Sequence, residues 1–475
     1  MILTVNTETA DVRALSESAR SAARLELRAG APTDARAPER PENDSGGRSS
    51  SRLVRFGYGL ADQCLSVGGM FVVNIALARA RSKEEYGIFA LTYSLLTFLT
   101  GLHNAAILEA YTVYGSGRYH QRFASYRSLL WRANLWLLGT LSALLLAAWQ
   151  GLRLSHSSFA SPSLLGMALT CGVLLSASFR RRTYYMRRRP DLAARFSAAF
   201  FLGCMGLLAL AMRGGWLNGL SAFLIVALAW SLAALVAARE PAPGEHREGK
   251  GVADPIDFLS GEPDYWREHW RYSRWVLVTA LVFQFTTQAY FWAVAALLSV
   301  PDVAELRALY NLALPVDQIS VAITFLILPQ MALHFAAREF RKLHRLWRQC
   351  ALLYLGISLG FAVLVGMASL PLLHLAYGGK FDGAAPLLRW YALLPGVMAI
   401  GNATNVALKA LEKPQSVFYA YAASGAATLL FGIPLLLRFG LAGAIYGMLL
   451  SGACYTAVLT FSFFRFQRTI PVSAR

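Results

Sequence analysis

Twelve stretches of mostly apolar residues follow one another along the chain from Gly57 onward, each 18–25 residues long. A helix rises 1.5 Å per residue, so each stretch can cross the roughly 30 Å hydrocarbon core of a bilayer. Backbone polar groups in that core must be bonded internally, which favours helices. The chain is therefore predicted to be an all-α polytopic membrane protein. The predicted spans are 57–79, 86–110, 128–150, 163–180, 191–212, 217–238, 275–298, 309–333, 347–370, 386–408, 416–437 and 441–464.

Composition supports a membrane protein over a soluble one. Hydrophobic residues make up 56% of the 475 positions and charged residues 15%, whereas soluble domains carry roughly 25% charge. The net charge of +18 comes from short basic clusters between the apolar runs, which are typical topology signals, so no nucleic acid partner is expected. No metal or cofactor is expected either, because the cysteines lie in apolar segments without metal-ligand spacing. They are Cys64, Cys171, Cys204, Cys350 and Cys454.

The connectors indicate an orientation. If the N-terminus is cytoplasmic, the connectors on that side hold about three times as many lysines and arginines as those on the other side. If a span had been missed or added, connectors rich and poor in basic residues would no longer alternate along the chain. We therefore predict that both termini and the long connector 239–274 are cytoplasmic.

That long connector divides the chain after six spans. The predicted layout is a disordered cytoplasmic tail (1–50), a first six-helix lobe (51–238), a cytoplasmic linker (239–272), a second six-helix lobe (273–465) and a short cytoplasmic tail (466–475). Residues 265–272 are rich in aromatic residues and arginine. They are interpreted either as an amphipathic segment at the headgroup level or as an aromatic belt with anchoring arginines.

Two internal echoes indicate that the halves are repeats. The segment 84–91 precedes the second span and 305–312 precedes the eighth, with glutamate, aromatic residue and leucine in register. A Trp-Arg pair opens the third span at Trp131 and the ninth at Trp347. Six spans per half make the repeats parallel, so their pseudo-two-fold axis follows the membrane normal and a substrate path would lie between the lobes.

Four regions then resemble a known family. They are Ala76–Leu91, Ala308–Pro329, Tyr377–Asp382 together with Leu408–Pro414, and Leu437–Gly447. In this order, over roughly residues 55–465, they are similar to polysaccharide transporters of the multidrug/oligosaccharidyl-lipid/polysaccharide exporter superfamily. The nearest branch is that of the O-antigen and exopolysaccharide flippases. One departure is Ser82-Lys83, which stands where that family usually has Gly-Pro.

The resemblance implies two lobes in a V that turn an undecaprenyl-diphosphate-linked oligosaccharide from the cytoplasmic to the periplasmic leaflet of a bacterial inner membrane. It also implies membrane lipids and a glycan polymerase with its chain-length regulator as partners, and a proton or sodium ion as coupling ion. That family usually has a cationic central cavity. The deep charges of this chain are as much acidic as basic, which leaves the charge of the substrate open.

Ionisable and amide side chains inside spans are the candidate site residues, since an ionisable group there costs about 2.5–3.5 kcal/mol on insertion scales. Asp317 lies two residues after Pro315 in span 8, where the proline loosens the helix. It is predicted either to take part in the ion path or to form an interhelical ion pair. Asp62 in span 1 is predicted either to line a cavity or to pair with a loop arginine.

Amide pairs and one histidine complete the candidates. Gln284 and Gln288 are four residues apart and share one face of span 7. They would bond sugar hydroxyls or join helices, and the same alternatives apply to Asn402 and Asn405 in span 10. His103 could titrate near neutral pH or be satisfied structurally.

Three rival functions were weighed. The first is an ion-coupled multidrug exporter of the same superfamily. The second is a membrane polysaccharide polymerase or ligase, which needs a large periplasmic loop, whereas the connectors on that side are short; an enzyme is therefore not expected. The third is a peptidoglycan-precursor flippase, a branch that usually carries two additional spans.

Overall fold

The computed structural model describes residues 45–116, 119, 122–155, 161–187, 189–238, 265–411 and 413–468. The predicted tail residues 1–44 and 469–475, and residues 239–264 of the predicted linker, lie outside the described residues. The chain divides into two units, 1–53 and 54–475. Of the first unit only residues 45–53 are described, and they are helical. Helix therefore begins inside the range that the sequence predicts as a tail.

The described residues are helical almost throughout. Twelve helices are labelled here in chain order. They are α1 (Ser45–Ala80), α2 (Lys83–His103, continuing through a π-helical turn Asn104–Leu108 into Glu109–Ser116), α3 (Phe123–Leu154), α4 (Pro162–Met186), α5 (Pro190–Arg213), α6 (Gly219–Ala238), α7 (Tyr265–Leu297), α8 (Val300–Ala336), α9 (Phe340–Tyr377), α10 (Ala385–Tyr391 and Leu394–Ala410), α11 (414–439) and α12 (441–468).

The last two spans are separated by a single glycine. Eleven described helices are long and apolar enough to cross a membrane, and the last runs from Gln415 to Gln467 over 53 residues. That length is roughly 80 Å, more than twice the ~30 Å of hydrocarbon. At Gly440 the backbone turns to φ 58° and ψ −140°, a conformation open to glycine and strained for other residues. The break makes two spans, and the prediction of about twelve is confirmed.

The helices form two lobes, α1–α6 and α7–α12, and α2 of the first lobe packs closely on α7 and α8 of the second. The repeat is visible at the helix starts. Ser82 caps α2 by accepting from the Glu85 amide, and Ser299 caps α8 by accepting from the Asp302 amide. If the two caps are equivalent, the offset between the repeats differs by about one helical turn from the offset given by the similar segments 84–91 and 305–312.

Helices α7 and α8 are among those that begin earlier than predicted. Helix α7 starts at Tyr265, so residues 265–272 form its first two turns rather than a separate interfacial segment. Helix α8 starts at Val300, where the Ser299 cap and Pro301 favour a helix start. Arg307, which was counted as a connector residue, consequently lies inside α8 and is buried.

The two ends of the bundle differ in their packing. At the end that contains Lys380, called here the Lys380 end, one hydrophobic core joins both lobes and includes Phe89 of α2 and Leu306 of α8. At the opposite end, called the His269 end, the core is split. One cluster lies around Tyr126 in the first lobe and another around Trp347 in the second. The lobes are therefore joined by apolar packing at the Lys380 end.

Candidate functional site

The Lys380 end is closed by polar contacts between the lobes. Lys83 at the start of α2 forms an ion pair with Glu305 of α8, at 2.5 Å from Nζ to Oε1. Lys380 donates to the carbonyl oxygens of Ala78 at 2.8 Å and Arg79 at 3.0 Å. These carbonyl groups lie at the C-terminal end of α1 and have no hydrogen-bond donor within the helix. The Lys380 ammonium group bonds to them and offsets the negative end of the helix dipole. Burial lowers the pKa of Lys380.

One layer deeper, a buried arginine sits between the lobes. The Arg307 guanidinium of α8 lies 4.3 Å from the ring centre of Tyr93, 4.9 Å from that of Tyr310 and 5.5 Å from that of Phe291. Its side chain is 3% exposed, and no carboxylate among the described residues pairs with it. Aromatic faces attract a desolvated cation. Tyr93 belongs to α2, so this cluster joins the first lobe to the second.

Asp317 lies near the middle of α8, on the face that carries Tyr310 two turns earlier. Its side chain is exposed, and its carboxylate is within electrostatic range of the Tyr310 and Tyr391 hydroxyls. Within the described chain it makes no hydrogen bond and no ion pair. The neighbouring Gln318 accepts from Gln63 of α1 at 3.2 Å. The face of α8 around Asp317 thus borders the first lobe.

The two glutamines of α7 have different surroundings. Gln284 packs against Gly101 of α2 so closely that a β-carbon at Gly101 would collide with its amide, which places Gln284 at the lobe interface. Gln288 is buried, with 7% exposure. Within the described residues its amide nitrogen donates one long hydrogen bond, of 3.5 Å, to the Thr287 hydroxyl, and its Oε1 has no partner there. A buried carbonyl oxygen left unbonded costs about 1–3 kcal/mol.

The two asparagines of α10 and His103 lie within single lobes. Asn405 donates to the Tyr455 hydroxyl at 3.1 Å, which joins α10 to α12. Asn402 is half-buried and makes no hydrogen bond among the described residues. His103 Nε2 lies 2.6 Å from Asn134 Oδ1, which joins α2 to α3. These contacts hold helices of the same lobe together.

Asp62 is enclosed inside the first lobe. Arg181 of α4 donates two hydrogen bonds to its carboxylate, at 3.1 and 2.6 Å. The hydroxyls of Tyr185 and Ser197 donate at 2.6 and 2.5 Å. The carboxylate is therefore fully bonded, and the residue is 1% exposed. This arrangement corresponds to the arginine-pairing alternative, with Arg181 lying within α4 rather than in a loop.

At the His269 end, α7 is seated on the first lobe. His269 is fully buried, with Nε2 at 2.8 Å from the Ala106 carbonyl oxygen and Nδ1 at 2.9 Å from the Tyr126 hydroxyl. Since a carbonyl only accepts, Nε2 carries the proton and Nδ1 of the neutral ring accepts from the tyrosine. Ala106 lies in the π-helical turn of α2, where the Glu109 amide bonds to the Asn104 carbonyl, five residues earlier.

Charges also face each other across the lobes at this end. Glu109 of α2 is within electrostatic range of Lys409 of α10 and of Arg182 of α4. In the described part of the chain neither cation comes within ion-pair distance of Glu109; Arg182 instead donates to Asn104 Oδ1 at 3.0 Å. Beside the contacts of α7, helix α10 therefore faces the first lobe here through separated charges.

Three of these features were not anticipated from the sequence. Arg307 falls in the predicted connector before span 8, His269 falls in the segment 265–272, and Glu109 falls at the end of predicted span 2 and was not a candidate site residue. A Ser-x-x-Asp cap at Ser299 was the available signal that α8 begins early. The partners of His269 had no sequence signal, because they come from α2 and α3.

No family model and no curated protein matches this chain. Solved structures do match. An inward-facing multidrug resistance MATE family transporter of the MOP superfamily is 12% identical, with a TM-score of 0.68 over 86% of this chain and 96% of that chain. An outward-facing transporter of that description is 11% identical, with a TM-score of 0.59 over 87% and 96%.

A third match is a MOP superfamily transporter from Pyrococcus furiosus, whose binding pocket is described as having reverse polarity. It is 12% identical, with a TM-score of 0.60 over 87% of this chain and 95% of that chain. At such identities the likeness concerns the fold alone. The chain is a multi-pass membrane protein with the fold of these transporters, and the inward-facing structure resembles it more than the outward-facing one.

Proposed function

We propose that this protein is an ion-coupled exporter that works by alternating access between its two lobes. The observation that carries the proposal is the difference between the ends: one hydrophobic core joins the lobes at the Lys380 end, and separate cores serve each lobe at the His269 end. The greater likeness to an inward-facing transporter supports placing the His269 end in the cytoplasm. The basic connectors of the sequence support the same orientation.

Asp317 is the proposed coupling residue. It is an exposed carboxylate near the middle of a transmembrane helix, without a bonded partner among the described residues. A proton or sodium ion bound there would be exchanged with one side of the membrane and then with the other as the lobes rock. Such isolated acidic groups in spans mark ion paths in transporters. Arg307, one layer towards the closed end, would bar cations from leaving by that route in this conformation.

The substrate we favour is an organic cation or amphipathic drug. The solved structures of the same fold include transporters described as multidrug resistance proteins. In this chain Asp317 would attract a cation, while Gln284 and Gln288 would offer amide groups. An ion-coupled multidrug exporter is also the first of the rival functions weighed from the sequence.

A second candidate is a flippase for a lipid-linked oligosaccharide. The observation in its favour is the pair of cations, Arg182 and Lys409, that face the single acid Glu109 between the lobes at the His269 end. A net positive charge there suits a diphosphate. Gln284, Gln288, Asn402 and Asn405 would then bond sugar hydroxyls, and a glycan polymerase would be a partner in the bacterial inner membrane.

Transport by the purified protein separates the two candidates. Proteoliposomes should accumulate ethidium, a fluorescent organic cation, when an imposed proton or sodium gradient drives exchange. Empty liposomes provide the control. A preparation that moves no organic cation, but transfers an undecaprenyl-diphosphate oligosaccharide between leaflets, would replace the first candidate by the second. Movement of neither substrate under any gradient would contradict both.

Orientation has its own test. Alkaline phosphatase fused after Arg153 or Lys380 should be active, because these positions belong to the proposed periplasmic side. Fusions after Arg189 should be inactive. The reverse pattern would show that the His269 end faces away from the cytoplasm and would overturn the proposed direction of export.

A further inference from the structure

A groove lies on the first lobe, away from the interface between the lobes. Helices α3 and α6 both pack against α4, and α4 forms the floor between them. The enclosed space is about 460 Å³, and most of its lining is apolar. Leu135 of α3 and Leu169 of α4, both on its wall, are about half exposed. In a membrane such side chains face lipid, so the groove is reachable from the bilayer.

The length of the groove corresponds to one leaflet. On α4 the lining runs from Leu169 to Arg180, and on α3 from Trp131 to Ser142. Each of these segments spans eleven residue steps, which is about 16 Å. Half of the ~30 Å hydrocarbon core is about 15 Å. The groove therefore extends from near the membrane surface at the His269 end to near the middle of the bilayer.

Its end near the surface carries a cation. Arg180 is half-buried and donates from Nη1 to the Ala234 carbonyl oxygen at 3.3 Å, four residues before α6 ends. Among the described residues the guanidinium has no carboxylate partner, and its remaining N–H groups are free to bind a ligand. A guanidinium binds phosphate oxygens through two parallel hydrogen bonds.

Hydroxyl groups follow one turn deeper. Ser176 of α4 and Ser231 of α6 line the groove there, and neither makes a hydrogen bond within the described chain. Beyond them the lining consists of apolar residues and the glycines Gly139 and Gly172, with one more hydroxyl, that of Ser142, at the deep end. The order from the surface inward is cation, hydroxyls and apolar wall, the order of phosphate, glycerol esters and acyl chain in a phospholipid.

We propose that this groove binds one anionic phospholipid of the leaflet at the His269 end. Its phosphate lies on Arg180, its ester groups lie near Ser176 and Ser231, and one acyl chain lies along α4. The inference concerns a surface separate from the lobe interface and does not depend on the transported substrate.

Native mass spectrometry of the purified full-length protein tests the site. The probes are phosphatidylglycerol and phosphatidylcholine with identical acyl chains. Wild type should retain one phosphatidylglycerol in preference to phosphatidylcholine. Arg180→Gln should lower phosphatidylglycerol retention about fivefold, as expected for one arginine near an anionic headgroup, and Arg180→Lys should keep part of it. Arg132→Gln is the matched control, because Arg132 is exposed on α3 outside the lining.

A second pair of variants tests the acyl chain. A β-carbon added at Gly139 meets no atom within 4 Å, so Gly139→Leu should be accommodated, occupy part of the groove and remove retention of both lipids. Gly206 on α5 has the same open surroundings and lies outside the groove, so Gly206→Leu should bind as wild type. Unchanged retention in Arg180→Gln or Gly139→Leu would overturn the proposal. So would displacement of the lipid by inorganic phosphate alone, or a dimer that retains no lipid.

Discussion

Asp62 in the first lobe and Asp317 in the second are acidic residues inside transmembrane spans, and their surroundings are opposite. In the first lobe, Asp62 accepts four hydrogen bonds, two of them from Arg181, and is 1% exposed. In the second lobe, Asp317 is exposed and has no bonded partner in the described part of the chain. An ionisable residue inside a span costs free energy on membrane insertion. For Asp62 hydrogen bonds within the lobe offset that cost, whereas for Asp317 a bound ion or substrate would offset it.

Structural and functional acids in such proteins can be distinguished by their bonding partners. Position alone does not do it: Asp317 lies deeper in its predicted span than Asp62, which is about five residues into span 1, yet both were candidates in the sequence. The bonding partners do: a carboxylate bonded on both oxygens within one lobe cannot exchange an ion as the lobes move. We therefore regard Asp62 as a structural residue and keep Asp317 as the proposed coupling residue.

The largest expected effect comes from Asp62→Asn. It leaves Arg181 as an uncompensated charge inside the lobe, which costs about 3–5 kcal/mol. Membrane abundance and the melting temperature of the purified protein should fall strongly. The matched control is Asp317→Asn, the same substitution in the other lobe, which should leave both quantities near wild type. Equal losses in the two variants would remove the distinction between the acids.

A smaller effect is expected when one donor to Asp62 is removed. Tyr185→Phe deletes the hydroxyl that donates at 2.6 Å and keeps the ring. A hydrogen bond to a charged group contributes about 1.5–3 kcal/mol, so the melting temperature should fall less than in Asp62→Asn. Tyr419→Phe is the control, since Tyr419 is 62% exposed. A melting temperature unchanged by Tyr185→Phe would show that Arg181 and Ser197 hold Asp62 without the tyrosine.

The smallest effect is expected for the polar contacts that join the lobes at the Lys380 end, beyond Asp317 along α8. Glu305→Gln breaks the half-exposed ion pair with Lys83, a contribution of about 1 kcal/mol or less. Opening at that end should become more frequent. Spin labels at Trp216 and Leu375, which are both exposed, would report longer distances in this variant. A distance distribution identical to that of wild type would mean that the pair does not contribute to closure.

The sequence predicted the fold well and the site only in part. The number and order of spans follow from the lengths of the apolar stretches, because a stretch of about 20 apolar residues is nearly sufficient to predict a membrane-spanning helix. The bonding of Asp62 could not be predicted, because Arg181 and Ser197 lie more than a hundred residues away in the chain. Arg307 was misplaced for a physical reason: hydropathy assigns an arginine to a connector, whereas three aromatic rings from α2, α7 and α8 make its burial tolerable.

Gradient-driven transport by Asp317→Asn is the measurement on which the role of Asp317 as coupling residue depends. Purified wild type, Asp317→Asn and Asp317→Glu would be compared in proteoliposomes for two activities: accumulation of ethidium against its gradient, and exchange of ethidium between the two sides without an imposed ion gradient. Asp317→Asn should lose accumulation at least tenfold while exchange continues, because the lobes still move but no ion is carried. Asp317→Glu should retain part of the accumulation. Full accumulation by Asp317→Asn, at normal protein abundance, would show that Asp317 does not couple transport to an ion.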